Sequence, residues 1–481
     1  MNFRTFRRSE SKEEKRRGYT ATNTKKFGMV DKLGYMFGDF GNDFTFILSS
    51  MMLMKFYSDV MGVSVALVGT MMMVARFVDA FTDVAMGQIV DRSRPGKKGK
   101  FLPWIRRMCG PVAIASFLMY ASWFADMPMA FKIGWMFVTY LLWGSVFYTS
   151  INIPYGSMAS ALSADPKERA QLSSFRTIGA TLAGTFIGVV LPLIVYYQDE
   201  AGNQILSGPK TSLAAGICSV GAVICYLLCY FMSTERVKVE QKTEKFSFSE
   251  LIKGLVTNKA LIGIVICSIL MLLVQLTMQS MTTYVYPNYF GNVQAQSAAG
   301  MVGLVMTLGL STVVVKLQVK MGRKELAIAG SLFGAVIFFI TWLTHTKNAW
   351  LYVGLYALAY LGLAAFSLIC WAMITDVIDD TEVRTGERSD GTIYAVYSFA
   401  RKLGQAASAG VTGALLGVIG YTAETAFDPA VTEGIFNLSC LIPAGGFLLL
   451  AAALWFFYPL NKKRVEDNAK FLAEKAEKAN K

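Results

Sequence analysis

The chain has 481 residues, of which 54% are hydrophobic and 16% charged, and its mean hydropathy is +0.43. Water-soluble proteins carry about 25% charged residues, so this composition excludes an ordinary soluble protein. The formal net charge of +13 does not indicate nucleic acid as a partner, because the basic residues lie in the connections between apolar runs. The seven cysteines lie inside apolar runs without metal-ligand spacing, so we interpret them as packing residues and predict no cofactor.

Apolar runs long enough to cross a bilayer recur along the whole chain, since a span needs roughly 20 residues. The polar, basic stretch 1–33 lacks the apolar core of a cleavable signal peptide. Reading apolar windows in chain order predicts an all-α membrane protein with twelve transmembrane helices. They cover 34–57, 62–90, 102–125, 131–160, 172–197, 212–233, 259–285, 296–319, 326–345, 350–378, 392–421 and 435–458.

The basic residues predict the orientation of these spans. With both termini and the even-numbered connections in the cytoplasm, 34 Lys and Arg residues lie on that side, and four lie in or beside the connections on the other side. Cytoplasmic connections of membrane proteins are enriched in such residues. We therefore expect both termini to be cytoplasmic.

A charged connection at 234–258 separates six spans from six. Two halves joined in this way are typical of transporters built from parallel repeats. The predicted organisation is an N-terminal cytoplasmic tail (1–33), two six-helix halves (34–233 and 259–458) with a cytoplasmic linker between them (234–258), and a cytoplasmic C-terminal tail (459–481).

Charged residues occur inside the first two spans, where they are costly and usually functional. Span one carries Asp39 and Asp43, four residues apart and thus on one helical face. Span two carries Arg76, Asp79 and Asp83, whose spacing also places them on one stripe.

The carboxylates of Asp79 and Asp83 would repel each other one turn apart. A bound Na⁺, a shared proton or a neighbouring Arg would relieve that repulsion, and hard cations prefer oxygen ligands. Thr82 and Thr149 can add neutral oxygens. We predict that these four residues bind a coupling cation, with Asp79 and Asp83 as Na⁺ ligands if the ion is Na⁺.

Cationic residues mark two later spans. Span five begins with Arg176, and span eleven carries Arg401 and Lys402 beside Ser398. Two adjacent residues point roughly 100° apart on a helix, so one of these two cations is expected to face a cavity. The acidic stretch beginning at Asp376 has two open interpretations, a functional cluster or a solvated loop with helix-end charges.

Several separated motifs resemble the glycoside–pentoside–hexuronide:cation symporters, a branch of the major facilitator superfamily, over roughly residues 30–460. The glucuronide-carrier branch is the more similar, through NIPYGS and FARKLGQ. The motifs are YMFGDFGNDF, RFVDAFTDVAMG, DRSRPGKKGKFLPW, INIPYGSMAS, DVIDDTEVRTGERSDG and YSFARKLGQA. The resemblance implies the major facilitator fold.

The resemblance also implies roles for individual residues. Asp79, Asp83 and Thr149 match the cation site of the melibiose-carrier branch. Asp43 matches a carboxylate that hydrogen-bonds sugar hydroxyls, and Lys402 matches a lysine close to both sites. Arg176 lies one position from the family's sugar-binding arginine.

Two departures affect the sugar site. Asn152 stands where the melibiose-carrier branch has a sugar-binding aspartate, and Gly156 where it has a tryptophan that stacks on galactose. The galactoside pocket is therefore not reproduced, and a different glycoside is expected. The residues predicted to bind it are Asp43, Tyr148, Asn152, Arg176, Tyr397, Ser398 and Lys402.

The predicted function is secondary active transport: sugar:cation symport, driven by Na⁺ or H⁺, through alternating access. The predicted partners are a glycoside or oligosaccharide, a monovalent cation and membrane lipid, around a monomeric protein in a bacterial plasma (inner) membrane. The alternative is a transporter-like sugar receptor or scaffold that moves no solute. An enzyme is not expected, because the single histidine, His345, has no catalytic constellation around it.

Overall fold

The computed structural model describes residues 19–21, 26–96, 98–239, 258–386 and 390–479. Helices coincide with all twelve predicted spans. The first six are α1 (Met29–Lys55), α2 (Val65–Arg92), α3 (Leu102–Leu118), α4 (Met129–Leu162), α5 (Pro166–Val195) and α6 (Gly208–Met232). The next six are α7 (Lys259–Tyr284), α8 (Val293–Met321), α9 (Arg323–Thr344), α10 (Ala349–Thr385), α11 (Asp390–Val418) and α12 (Pro429–Phe456).

The remaining elements lie between or after these helices. Helix α13 (Lys462–Ala479) forms most of the predicted C-terminal tail. Strand β1 (Tyr19–Ala21) pairs antiparallel with β4 (Val237–Val239), and β2 (Tyr196–Gln198) pairs antiparallel with β3 (Gln204–Leu206). Most of the predicted N-terminal tail, and residues 240–257 of the predicted linker, lie outside the described residues.

Length and composition support membrane insertion. Within the described ranges, nine helices are long and apolar enough to cross a bilayer. Helix α3 has only 17 residues, while α1 and α11 carry charged residues within their length. Large apolar side chains such as Leu308 and Val319 are exposed on the helix surfaces, as expected for faces that contact lipid.

Short polar side chains and glycines set several helix boundaries. The side chains of Asn258, Asn292 and Asn348 accept hydrogen bonds from the first amides of α7, α8 and α10, which are otherwise unpaired at a helix start. Gly322 and Gly386 follow α8 and α10 with φ angles of 101° and 78°, a conformation that side chains disfavour. These boundaries therefore follow from local sequence.

Helix α10 continues past the predicted end of span ten. The carboxylates of Asp376 and Asp380 are buried on it; Asp376 pairs with Arg323, and Asp380 pairs with Arg464 of α13. The interpretation of this stretch as a solvated loop is therefore wrong for these two residues, because the helix keeps its hydrogen-bonding pattern and the arginines offset the buried charge.

The chain packs into two compact units. The first contains residues 1–49, 78–187 and 208–245, and the second contains residues 50–77, 188–207 and 246–481. The boundary between the units falls within α1, α2 and α5. The two six-helix halves read from the sequence stay a prediction.

Candidate functional site

Two carboxylates of α2 face two hydroxyls of α4 in the first unit. The Ser145 hydroxyl donates a hydrogen bond to Asp79 Oδ1 at 2.6 Å, and the Thr149 hydroxyl donates to Asp83 Oδ1 at 2.8 Å. Asp79 is 4% exposed and Asp83 is half-buried. The four side chains form a cluster of oxygen atoms, which is the ligand type that hard cations prefer.

The α4 side of this cluster lies in and beside a π-helical segment, Leu142–Tyr148. Such turns are rare and are frequent at functional sites. The Thr149 hydroxyl also lies 3.1 Å from the carbonyl oxygen of Gly144. A Cβ atom at Gly144 would lie 3.4 Å from Asp79 Oδ1, so small residues let α4 approach the carboxylates closely.

Thr82, the fourth predicted cation ligand, lies on the same helix as the carboxylates. Its hydroxyl donates to the Asp79 carbonyl oxygen at 3.2 Å. The hydroxyl oxygen keeps its own acceptor sites. The structure thus places the Asp79 and Asp83 carboxylates of α2 and the Thr149 hydroxyl of α4 where these two helices meet. Thr82 lies beside the carboxylates on α2.

Arg176 pairs with Asp39 and not with Asp43. Its Nε atom lies 2.9 Å from Asp39 Oδ1, and its guanidinium carbon lies 5.4 Å from the centre of the Tyr155 ring. The Tyr155 hydroxyl in turn donates to the Tyr35 carbonyl oxygen at 2.7 Å. The Arg176 side chain remains 42% exposed, so the guanidinium is oriented and still accessible.

Asp43 lies one helical turn after Asp39 and is half-buried. Among the described residues, no hydrogen bond or ion pair reaches its carboxylate. Both oxygens of an ionised carboxylate accept hydrogen bonds. Asp43 can therefore accept bonds from ligand hydroxyls without displacing a protein partner.

Asn152 and Tyr148 project from α4 toward neighbouring helices. Asn42 Nδ2 lies 3.4 Å from Asn152 Oδ1, and the Tyr226 hydroxyl donates to Asn42 Oδ1 at 2.9 Å. The ring of Tyr148 stacks on Phe46 at 6.0 Å. Side chains from α1 and α6 thus orient the Asn152 amide.

The residues predicted on α11 belong to the second unit. Tyr397 is buried, with its hydroxyl 3.2 Å from Cys370 Sγ, whereas Ser398 is exposed and Lys402 is half-buried. The guanidinium of Arg401 lies 5.8 Å from the ring of Trp371. Of the two adjacent cations, Arg401 therefore packs against an aromatic side chain of α10.

Sequence reasoning did not select three residues that contribute to these arrangements. Ser145 lies four residues before Thr149, and this helical spacing could have identified it. Asp39 was read as part of the first-span pair without a role of its own. Tyr155 gave no signal, because an aromatic residue in a membrane span is ordinarily a packing residue.

The chain is similar to known transporters over most of its length. A family model described as MFS/sugar transport protein matches residues 34–462. The uncharacterized symporter YjmB of Bacillus subtilis is 30% identical over 92% of this chain and 94% of that protein. The glucuronide carrier protein homolog of Escherichia coli is 29% identical over 90% of this chain and 93% of that protein.

A solved structure gives the fold independently. The match is to the structure of an inward-facing bacterial homolog of the human lysosomal transporter Spinster. The alignment covers 92% of this chain and 97% of the homolog, with a TM-score of 0.66 and 12% identity. At this identity the likeness concerns the fold alone.

These findings confirm the predicted resemblance to glycoside–pentoside–hexuronide:cation symporters, the major facilitator fold and a multi-pass membrane protein. They also confirm transport, and not catalysis, as the function. Because the family model spans most of the sequence, the chain belongs to the MFS/sugar transport protein family and is a secondary sugar:cation symporter.

Proposed function

We propose that this symporter carries a glycoside or oligosaccharide together with a monovalent cation, Na⁺ or H⁺, by alternating access. The cation binds at Asp79 and Asp83, with neutral oxygens from Thr82 and Thr149. The observation that carries this proposal is the oxygen cluster between α2 and α4. Two like charges one turn apart favour the binding of a positive charge between them.

Asparagine variants test the cation site. Asp79→Asn and Asp83→Asn keep the size of each side chain and remove one negative charge. We expect each variant to weaken cation binding by at least about tenfold, which corresponds to about 1.4 kcal/mol of binding free energy, and gradient-driven sugar accumulation to fall as a result. The assay is uptake into proteoliposomes under an imposed Na⁺ or H⁺ gradient.

A control variant is Glu466→Gln on α13. Glu466 is 56% exposed and lies 3.9 Å from the exposed Lys462, so its charge is solvated and its loss should leave coupling unchanged. Wild-type accumulation by both Asp79→Asn and Asp83→Asn would refute the assignment.

The proposed sugar site in the first unit combines acceptors and donors. Asp43 accepts hydrogen bonds from sugar hydroxyls, and Arg176 donates through the guanidinium nitrogens that do not face Asp39. Asn152 adds an amide, and Tyr148 offers an aromatic face. A polar solute leaving water needs such replacements, because an unpaired buried polar group costs about 1–3 kcal/mol.

The sequence also predicts sugar-binding residues on α11. They are Tyr397, Ser398 and Lys402. Burial of Tyr397 makes Lys402 and Ser398 the more accessible of the three. The assignment of Lys402 rests on the family motif FARKLGQ.

A thermal-shift screen identifies the sugar. Purified protein is heated with a panel of glycosides, with and without NaCl, since a ligand at about 100 times its Kd stabilises the folded state by about 2.7 kcal/mol. With the best ligand, Asp43→Ala should abolish the shift while the response to cation persists. Full sugar affinity in a folded Asp43→Ala protein would show that Asp43 does not contact substrate.

We further propose that the protein is a monomer in a bacterial plasma membrane with both termini in the cytoplasm. The support for the orientation is the distribution of basic residues, 34 against four. Membrane lipid would contact the exposed apolar faces of the helices.

A further inference from the structure

Ser145 occupies the same position relative to Asp79 as Thr149 occupies relative to Asp83. Each hydroxyl follows its carboxylate by 66 residues, and each donates to an Oδ1 atom. Helices α2 and α4 are therefore in matched register over one turn. Two hydroxyl–carboxylate pairs therefore lie one turn apart, and the family resemblance accounts for only the pair that contains Thr149.

A hydroxyl has one hydrogen and two acceptor sites. When Ser145 donates its hydrogen to Asp79, its lone pairs remain available to a cation beside the same carboxylate. Ser145 is 8% exposed, so bulk water contributes little at this position. A small hard cation bound here would replace its lost hydration with oxygens of the protein.

We propose that the Ser145 hydroxyl oxygen is a further ligand of the coupling cation, bound together with the Asp79 and Asp83 carboxylates. This inference rests on the proposed function of those two carboxylates. It makes the ion a metal cation such as Na⁺, because a neutral hydroxyl oxygen adds a ligand for a metal ion and is not needed to carry a proton on a carboxylate.

A competing explanation is that Ser145 only ties α4 to α2. A structural hydrogen bond would stabilise the protein equally at every cation concentration. A ligand would instead change the concentration at which the cation stabilises the protein. A cation titration without sugar separates the two explanations.

The experiment uses the purified full-length chain in detergent. NaCl is titrated against choline chloride at constant ionic strength and pH, and the apparent Tm is recorded. We expect Ser145→Ala to raise the half-maximal Na⁺ concentration about tenfold, the lower end of the effect of altering the surroundings of a bound metal ion. Its Tm in choline chloride alone should stay close to that of the wild type, which shows that the variant is folded.

Two control variants accompany Ser145→Ala. Ser150 lies on the same helix, and its hydroxyl donates to the Val146 carbonyl oxygen at 2.6 Å. Ser150→Ala should leave the half-maximal Na⁺ concentration unchanged. Asp79→Asn should abolish the Na⁺ response.

The outcomes are distinct. An unchanged half-maximal concentration in Ser145→Ala, with or without a uniformly lower Tm, overturns this inference while loss of the response in Asp79→Asn still supports the carboxylate site. A wild-type protein that does not respond to Na⁺ or Li⁺ also overturns it and leaves H⁺ as the coupling ion. A normal response in both Asp79→Asn and Asp83→Asn overturns the proposed cation site itself.

Discussion

The ammonium group of Lys55, at the end of α1, is buried and has an acceptor for each of its three hydrogens. Lys55 is 1% exposed. Its Nζ atom lies 2.9 Å from Asp59 Oδ2, 2.8 Å from Asn288 Oδ1 and 2.7 Å from the Tyr421 hydroxyl oxygen. The Tyr421 hydroxyl also lies 2.9 Å from Asp59 Oδ1. Neutralising Asp59 should therefore leave an uncompensated buried charge on Lys55.

The separation of Lys55 and Asp59 sets the magnitude of the stability that Asp59→Asn should lose. At 2.9 Å and an effective dielectric constant of about 20, the gross attraction is about 6 kcal/mol, and desolvation offsets part of it. Breaking a buried pair by removing one partner costs about 3–5 kcal/mol. Unfolding entropy of about 2.1 cal/mol/K per residue is about 1 kcal/mol/K for 481 residues. We therefore expect Asp59→Asn to lower the apparent Tm by about 3–5 °C.

The assay is a double-mutant cycle read by thermal unfolding. Lys55→Met combined with Asp59→Asn removes both charges, so the double variant should be more stable than Asp59→Asn alone. The control is Lys462 and Glu466, an exposed pair with the same four-residue spacing at 3.9 Å, where neutralisation should change stability by at most about 1 kcal/mol. An Asp59→Asn protein within about 1 °C of wild type, or a double variant no better than Asp59→Asn, would contradict the reasoning.

Three further predictions concern packing, the C-terminal helix and topology. A Cβ atom at Gly300 would lie 2.4 Å from backbone atoms of α5, whereas a Cβ atom at Gly309 would have no atom within 4 Å. Gly300→Val should therefore lower the yield and the Tm of the folded protein, and Gly309→Val should leave both unchanged. Asp380→Asn weakens the ion pair with Arg464 and the hydrogen bond from Asn468 that hold α13 against α10. Limited proteolysis should therefore remove α13 faster, and an unchanged cleavage rate would contradict this role. All seven native cysteines are buried, so an impermeant maleimide should report on introduced cysteines. From outside intact cells it should label a cysteine introduced at Asn203 and should not label one introduced at Lys245. External labelling at Lys245 would reverse the predicted orientation.

The sequence alone was sufficient to predict the twelve helices. The free energy of inserting an apolar segment depends on its own composition and length, so each span can be recognised without its neighbours. Helix ends depend on local capping. Tertiary contacts can move a boundary, as at the C-terminal end of α10, where the helix runs past its predicted end and ion pairs to arginines compensate the charges of Asp376 and Asp380.

The candidate site was only partly predictable from sequence, because spacing within one helix is local but contacts between helices are not. Spacing along α2 places Asp79 and Asp83 on one face, because that depends on the helical period alone. Which residue of α1 pairs with Arg176, and which hydroxyl of α4 faces Asp79, depends on the rotation and depth of one helix against another. Those quantities are set by packing between helices that are distant in sequence. The tertiary structure therefore selected Asp39 as the partner of Arg176, and it showed that Ser145, which shares a helical face with Thr149, is the hydroxyl that faces Asp79.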